Sequence, residues 1–186
     1  MTTSLHYRLR KLSGTIEELG ERRDSGPADA LDSVHHSVIR VRESGGVVAL
    51  ENVVVPVQVE ACLAPGVRCD LYLVEAQAQI CSPAYRKCAV DGAFSHVFAI
   101  VCGDQCVDAI GPTVRHFGEL KQFGLDQVLS WAGLSLLVSF IVIGIPFLIY
   151  FGIQTLIASR LRIPSVPEMK GFLGRDGFPL GCGCQV

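Results

Sequence analysis

The sequence is poor in charged residues, and one long stretch has none at all. Charged side chains make up 18% of its 186 residues, below the roughly 25% of ordinary soluble proteins. No charged residue occurs between Asp126 and Arg160, an interval of 33 residues. The mean hydropathy of +0.40 therefore has a local origin, and it excludes a uniformly hydrophilic globule.

Several familiar motifs are also missing. Residues 1–21 lack the apolar core and the small-residue cleavage site of a secretory signal, so we expect the N-terminal domain to remain in the cytoplasm. No pattern of catalytic or cofactor-binding residues fixes a reaction, so we expect no enzyme and no cofactor. Residues 1–126 carry 12 basic and 16 acidic side chains, a net charge of −4. Because nucleic-acid-binding grooves are basic and rich in stacking aromatics, we expect no nucleic acid partner.

The uncharged stretch predicts one long transmembrane helix over residues 128–158. About 20 helical residues cross the roughly 30 Å hydrocarbon layer, so this stretch is more than sufficient. Pro146 lies near its middle beside Gly144 and removes one backbone donor, which predicts a kink. The alternative is a hairpin that enters and leaves on the same side, with its broken backbone buried by protein.

The residues that flank this stretch predict how it is anchored. Trp131 and Tyr150 are candidates for aromatic anchors at the two membrane interfaces. Arg160 and Arg162 follow the stretch, and the positive-inside rule then favours a cytoplasmic C-terminus. A hairpin would reconcile that orientation with a cytoplasmic N-terminal domain. We expect an integral protein of a bacterial inner membrane, with the lipid bilayer as its first partner.

Residues 1–112 read as a small β domain. Short runs with alternating apolar and polar residues predict half-buried strands, and turn residues such as Asp91-Gly92 separate them. Strands at this spacing are typical of a small antiparallel barrel or sandwich. The predicted strands are 5–19, 36–42, 46–56, 67–77, 87–90 and 94–102.

The first strand carries a resemblance. The run Ser13-Gly14-Thr15-Ile16-Glu17-Glu18, followed by meander-like strands, resembles the opening of an OB-like barrel, in which a mid-strand glycine lets the strand coil. In broad architecture the chain is similar to bacterial membrane proteins of the NfeD family, which carry such a barrel. There the barrel follows the membrane helices, whereas here it precedes the apolar stretch. The resemblance implies assembly or scaffolding and transfers no functional residue.

The predicted order of segments is a barrel, a connector, a membrane helix and a tail. The connector, 113–127, is either a short amphipathic helix on the bilayer surface or an ordinary link. The tail, 159–186, is polar and contains glycine and cysteine. The predicted segments are 1–112, 113–127, 128–158 and 159–186.

The eight cysteines support three interpretations. The thiols could be small apolar core residues, disulfides of an oxidising compartment or metal ligands, although no CxxC pair is present. The candidates for thiol chemistry are Cys102, Cys106 and the terminal pair Cys182 and Cys184. The eight cysteines are Cys62, Cys69, Cys81, Cys88, Cys102, Cys106, Cys182 and Cys184.

Histidines add two lesser candidates. His35 and His36 are adjacent on a predicted strand, so their side chains point to opposite faces and do not readily share one ion. His96 could pair with Cys102 or Cys106 as base and nucleophile, oriented by Asp104 or Asp108. We predict no metal site.

These features predict a membrane-anchored, non-enzymatic interaction or scaffold protein whose β domain binds a protein partner. One alternative is a thiol-dependent sensor or enzyme that uses Cys102, Cys106 and the terminal pair. Another is an accessory subunit of a transporter or secretion complex. Association of helices or of identical copies would use either the β domain or a helix face with Gly133, Gly144 and Gly152.

Overall fold

The computed structural model describes residues 4–24, 33–79, 91–138 and 144–179. The strands in these ranges are β1 (Ser4–Leu19), β2 (Arg22–Asp24), β3 (Ser33–Glu43), β4 (Gly46–Pro56), β5 (Arg68–Gln79), β6 (Asp91–Cys102) and β7 (Gln105–Asp108). The helices are α1 (Val57–Glu60), α2 (Ile110–Val138), α3 (Gly144–Ser159) and α4 (Val166–Arg175).

The described residues divide into two compact units. The barrel unit contains the described residues of the ranges Tyr7–Ala76, Ala93–Arg115 and Pro164–Val186. The helical unit contains the described residues of the ranges Met1–His6, Gln77–Gly92 and His116–Ile163. Helix α2 therefore begins in the barrel unit and continues in the helical unit.

Five strands of the barrel unit close into a ring. Neighbours around it are β1, β5, β6, β4 and β3, and β3 pairs again with β1. The β3–β4 hairpin is antiparallel, whereas β4 and β6 run parallel where Val53 and Val54 meet Ser95 and His96. The prediction of a mainly β domain is confirmed as a closed five-stranded barrel, consistent with an OB-like one. It is not purely antiparallel, because β6 closes the ring beside β4.

Most predicted strands agree with the structure to within a few residues. The predicted strand 87–90 lies outside the described residues, so the hairpin expected at Asp91-Gly92 is described only from β6 onward. The short elements β2, α1 and β7 were not predicted. Alternation had too few residues in them to indicate a strand or a helix.

The mid-strand glycine of β1 sits at a close approach of two strands. A Cβ atom on Gly14 would lie 2.4 Å from the carbonyl oxygen of Arg42 and 2.7 Å from Cγ1 of Val41, both in β3. From Thr15 onward β1 pairs with β3, and its register shifts between Ile16 and Glu18. Glycine is thus required where β1 passes to its second neighbour.

The barrel interior is filled by aliphatic side chains from every strand of the ring. The predicted alternation in β5 is confirmed, since Cys69, Leu71 and Leu73 all belong to this core. The buried core comprises Leu12, Ile16, Ile39, Val41, Leu50, Val53, Val55, Val59, Leu63, Cys69, Leu71, Leu73, Val97, Ile100, Val107 and Ala109.

Helix α4 covers the outer face of β5 and β6. Tyr72 of β5 makes edge contacts with Phe172 and Phe178, at centroid distances of 6.3 and 5.5 Å. The buried Leu173 of α4 adds apolar area to the same layer. Strand β5 is therefore buried on both faces, by the barrel core on one side and by the α4 region on the other. This explains why Tyr72 is buried although it points away from the core residues Leu71 and Leu73. The predicted polar tail, 159–186, therefore contains a packed helix that the sequence pattern did not predict.

The predicted single helix over 128–158 corresponds to the end of α2 and nearly all of α3, on either side of residues 139–143, which lie outside the described residues. Pro146 is the third residue of α3. Because the residues that precede α3 lie outside the described part of the chain, the kink predicted at Pro146 stays a prediction. Within the described ranges, no helix combines the length and the hydropathy needed to cross a membrane.

Candidate functional site

Helix α2 and the segment that follows α3 meet in the helical unit; we call α2 and α3 the helix pair and this meeting point its base. The Lys121 ammonium of α2 donates a hydrogen bond to the carbonyl oxygen of Leu161, just beyond α3, at 3.0 Å. Beyond Lys121, α2 rises roughly 26 Å to Val138, and the 16 residues of α3 span roughly 24 Å at ~1.5 Å per residue. Because Lys121 and Leu161 meet, the chain beyond Lys121 returns close to the point from which it left.

The burial pattern of α3 is the reverse of that of a helix on a water-soluble protein. Gln154 and Ala158, one turn apart on the same face, are buried. The large apolar residues are on the outside: Ile149 is 61% exposed, Ile153 52% and Leu156 60%. In water such a contiguous apolar face is unfavourable, and it marks a site of contact with protein or lipid.

Small and polar residues are buried on both helices of this pair. Gly124 of α2 and Ala158 of α3 are buried, and small residues allow close approach of helices. Gln154 is buried, and its Oε1 atom accepts no hydrogen bond from the described residues.

The glycines singled out for helix packing do not all behave this way. Gly133 and Gly152 are exposed, and a Cβ atom on either would meet nothing within 4 Å. They leave room on the outer surface for another helix or for lipid. Gly144 is the first residue of α3.

The predicted membrane anchors fall into two groups. Trp131 lies within α2, and the exposed Tyr150 lies on α3, with its ring in edge contact with Phe151 at 5.4 Å. Arg160 and Arg162 are exposed and follow α3 directly. Because Lys121 contacts Leu161, the basic residues of both legs gather at the base of the helix pair. Beyond the base, Asp126 is the last charged residue on α2.

The structure separates Cys102 from Cys106. In the β6–β7 hairpin Cys102 pairs with Gln105, whereas Cys106 pairs with Val101. Adjacent residues of a strand point to opposite faces, so Cys102 and Cys106 lie on opposite faces of the hairpin. Cys182 and Cys184 lie outside the described residues.

Cys102 instead lies with two other thiols at one end of the barrel core. Its Sγ donates to the carbonyl oxygen of Cys62 at 3.7 Å, and it hydrogen bonds to Cys69. Burial raises the pKa of the Cys69 thiol to about 12, and the neighbouring Cys102 adds to the shift. Burial also raises the pKa of Cys102. Protonated thiols are poor nucleophiles, which favours the interpretation of these cysteines as core residues.

The two histidine candidates are both in the barrel unit. His36 is buried and its Nε2 lies 3.7 Å from a carboxylate oxygen of Glu60, while burial lowers the pKa of the neighbouring His35. His96 is buried, with Nδ1 3.4 Å from the Thr113 hydroxyl, which donates to the carbonyl oxygen of Ala109. Within the described ranges no group of three His, Cys, Asp or Glu side chains could hold a metal ion.

The outer surface of β3 is charged but neutralised. Arg40 pairs with Glu18 at 2.9 Å, and Arg42 pairs with Glu17. Among the side chains that the structure describes, Tyr150 of α3 is the only exposed Phe, Tyr or Trp. The described barrel surface therefore offers no aromatic platform on which bases could stack.

A second set of charges ties β1 to β5. Lys11 contacts Asp70 at 3.0 Å and lies 5.4 Å from the centre of the Tyr72 ring. Burial alone would raise the pKa of Asp70, but hydrogen bonds from Ser13 and Lys11 outweigh it and hold that pKa below its usual value. These partners stabilise the strand pair and do not form an open site.

Comparison with family models, with curated proteins and with solved structures finds no match in any of the three. The resemblance to the NfeD family stays a prediction. The candidate site is thus defined by geometry alone, as the apolar outer face of the helical unit.

Two of the features above were not predicted. The return of the chain beside α2 was only the alternative interpretation, because hydropathy does not distinguish one crossing from two shorter legs. Helix α4 had a local signal, since Ser165 accepts a hydrogen bond from the backbone N–H of Glu168 at 3.4 Å. A Ser-x-x-Glu sequence of this kind is typical of a helix start.

Proposed function

We propose that the protein is a membrane-anchored, non-enzymatic interaction or scaffold protein. The helical unit inserts its apolar outer face into lipid, and the barrel unit binds a protein partner at the membrane surface. The observation that carries this proposal is the reversed burial of α3, with Gln154 and Ala158 inside and Ile149, Ile153 and Leu156 outside.

Lipid fits this surface for three reasons. Large aliphatic side chains are soluble in hydrocarbon, and small and polar residues are typical of the buried contacts between membrane helices. The interval of 33 residues without charge covers both helices beyond Asp126. Basic residues then gather at the base, where anionic lipid headgroups attract them.

The positive-inside rule supports a cytoplasmic location for the base. The basic residues Lys121, Arg160 and Arg162 are all on this end of the helical unit, and membrane proteins concentrate such residues on the cytoplasmic side. We therefore propose insertion from the cytoplasmic face of a bacterial inner membrane.

The barrel supports the interaction part of the proposal. We propose that it is OB-like, on the grounds of its five-stranded ring, the order of its strands and the close approach at Gly14. The neutralised arginines of β3 and the lack of exposed aromatics on the described barrel surface favour a protein partner over nucleic acid. Burial raises the pKa of the Cys69 and Cys102 thiols, which gives a thiol mechanism no support.

The experiment is flotation of the purified full chain with lipid vesicles. The test variant is Ile149→Asp/Ile153→Asp/Leu156→Asp, and the matched control is Val47→Asp/Val166→Asp, which alters two exposed apolar residues of the barrel unit. Each aspartate in hydrocarbon costs about 3 kcal/mol relative to an aliphatic residue, so three prevent insertion.

We expect the unaltered chain and the control to float with the vesicles and to resist extraction at alkaline pH, while the triple variant stays behind. The proposal fails if the unaltered chain remains as a soluble monomer or dimer below the vesicles. It also fails if the triple variant floats as well as the control. Association with one large membrane protein, lost in the same variant, would identify the accessory-subunit alternative.

A further inference from the structure

We propose that the chain enters the membrane along α2 and leaves it along α3 through the same face, so that all of the barrel unit lies on one side of the bilayer. This inference rests on the proposed insertion of the helical unit. It assigns the membrane part of that unit, α2 and α3, the form of a re-entrant hairpin and gives lipid of one membrane face as its partner.

The barrel unit contains residues from both sides of the helical segment. The chain leaves the barrel unit at Arg115 and returns to it at Pro164. After the return, the Tyr7 hydroxyl of β1 donates to a carboxylate oxygen of Glu168 in α4 at 2.8 Å, across 161 positions of sequence. A bilayer cannot separate two residues that share a hydrogen bond.

Packing makes this junction extensive. Phe172 contacts both Tyr72 and Phe98, at centroid distances of 6.3 and 6.5 Å. Met169 and Leu173 of α4 are completely buried. Burying aliphatic side chains contributes about 1.5–3 kcal/mol each, so α4 stays on the barrel while the chain between makes its excursion.

The chain also returns to its starting point within the helical unit itself. The hydrogen bond from Lys121 to the carbonyl oxygen of Leu161 brings the start and the end of the excursion together at 3.0 Å. A chain that crossed the membrane once would have these two residues on opposite faces.

The length of the uncharged legs agrees with a hairpin. On α2, residues 127–138 are free of charge and rise roughly 18 Å, and the 16 residues of α3 rise roughly 24 Å. Both distances fall short of the roughly 30 Å of hydrocarbon. Each leg satisfies its own backbone hydrogen bonds as a helix, which hydrocarbon demands.

The buried residues of the two helices suit this hairpin. Gln154 and Ala158 on α3 and Gly124 on α2 are all buried. A single isolated helix would expose the polar amide of Gln154 to hydrocarbon, whereas a hairpin that packs together keeps it away from lipid.

The experiment locates two points of the chain, one before residue 116 and one after residue 163. Short tags that carry a site for a specific protease are inserted at Gly45, in the β3–β4 turn where an added atom meets nothing within 4 Å, and after Val186. The full chain is expressed and sealed vesicles of both orientations are prepared. Protease is added outside, with and without detergent.

The matched control replaces residues 116–163 by one polyleucine helix long enough to cross the membrane, which must place the two tags on opposite faces. Detergent must expose both tags in every sample.

We expect both tags of the natural chain to be cut in one vesicle orientation and protected in the other. Cleavage of one tag in each orientation, with the protein still in the membrane fraction, would overturn the hairpin and leave the proposed anchoring intact. Recovery of the protein outside the membrane fraction would overturn both.

Discussion

Gly14 lies at a position of the barrel where a larger residue does not fit. Its missing Cβ leaves β1 room to pass within contact of Arg42 and Val41, and the nearest neighbour of an added Cβ is a backbone carbonyl oxygen at 2.4 Å. A backbone atom cannot move aside as the end of a flexible side chain can. We predict that Gly14→Ala lowers the free energy of unfolding by about 1–3 kcal/mol, measured by urea unfolding of the full chain in detergent.

The matched control is Gly45→Ala in the β3–β4 turn, where the added Cβ meets nothing within 4 Å. We expect this variant to unfold at the same urea concentration as the unaltered chain, or slightly above it. Equal stability of Gly14→Ala and the control would contradict the described passage of β1 to β3.

Cys69 makes stability depend on pH in the alkaline range. An unfolded thiol loses its proton near its ordinary pKa of 9.0, whereas burial keeps the folded thiol protonated to about 12. Between these values the unfolded state binds fewer protons, so the free energy of unfolding falls as pH rises. We predict this decline from about pH 9 upward, measured by urea unfolding at a series of pH values.

Two replacements separate titration from packing. Cys69→Ala and Cys69→Ser differ in the size and polarity of the new side chain, but neither titrates. Both are expected to show a shallower decline than the natural chain above pH 9, whatever their stability at pH 7. A decline of unchanged slope in both variants would show that Cys69 does not carry the effect.

At the scale of elements, α4 is part of the barrel unit and not a loose tail. Leu173 is completely buried on the outer face of the barrel. We predict that Leu173→Ala lowers the free energy of unfolding by about 2–4 kcal/mol, as other large-to-small core changes do. Circular dichroism during urea unfolding measures the effect.

The exposed Lys170 of the same helix provides the comparison. Lys170→Ala removes a side chain of similar length from the solvent side and is expected to change stability by less than about 0.5 kcal/mol. If Leu173→Ala were as mild, α4 would not be packed as described, and the argument for a single membrane face would lose its main support.

The strands were the most predictable elements. Alternation in residues such as Cys69, Leu71 and Leu73 depends only on which face meets the core, and that information is local. Gly14 was also identified, because a glycine inside a strand indicates a close approach. The order of strands around the ring, with β6 beside β4, depends on contacts between distant residues, which periodicity does not contain.

The helical segment was predictable in composition but not in shape. Thirty-three uncharged residues satisfy one tilted crossing and two shorter legs equally well. The choice between them depends on the contact of Lys121 with Leu161, which joins residues 40 positions apart.

At the scale of the whole molecule, the two units differ in the solvent to which their surfaces are suited. The barrel unit buries its apolar residues and neutralises its charges, as a protein in water does. The helical unit exposes Ile149, Ile153 and Leu156 and hides Gln154, as a protein in lipid does. The function we propose follows from this contrast, since a folded barrel held at a membrane surface can present partners to one another without chemistry of its own.

Trp131 allows the most direct test of this claim, because it is the chain's single tryptophan and lies in α2 five residues beyond Asp126. The measurement is quenching of its fluorescence by lipids brominated at different depths of the acyl chain, with the full chain in vesicles. The account predicts strong quenching by lipids brominated in the upper acyl region, and loss of that quenching in Ile149→Asp/Ile153→Asp/Leu156→Asp. Fluorescence unaffected by every brominated lipid would contradict insertion of the helical unit.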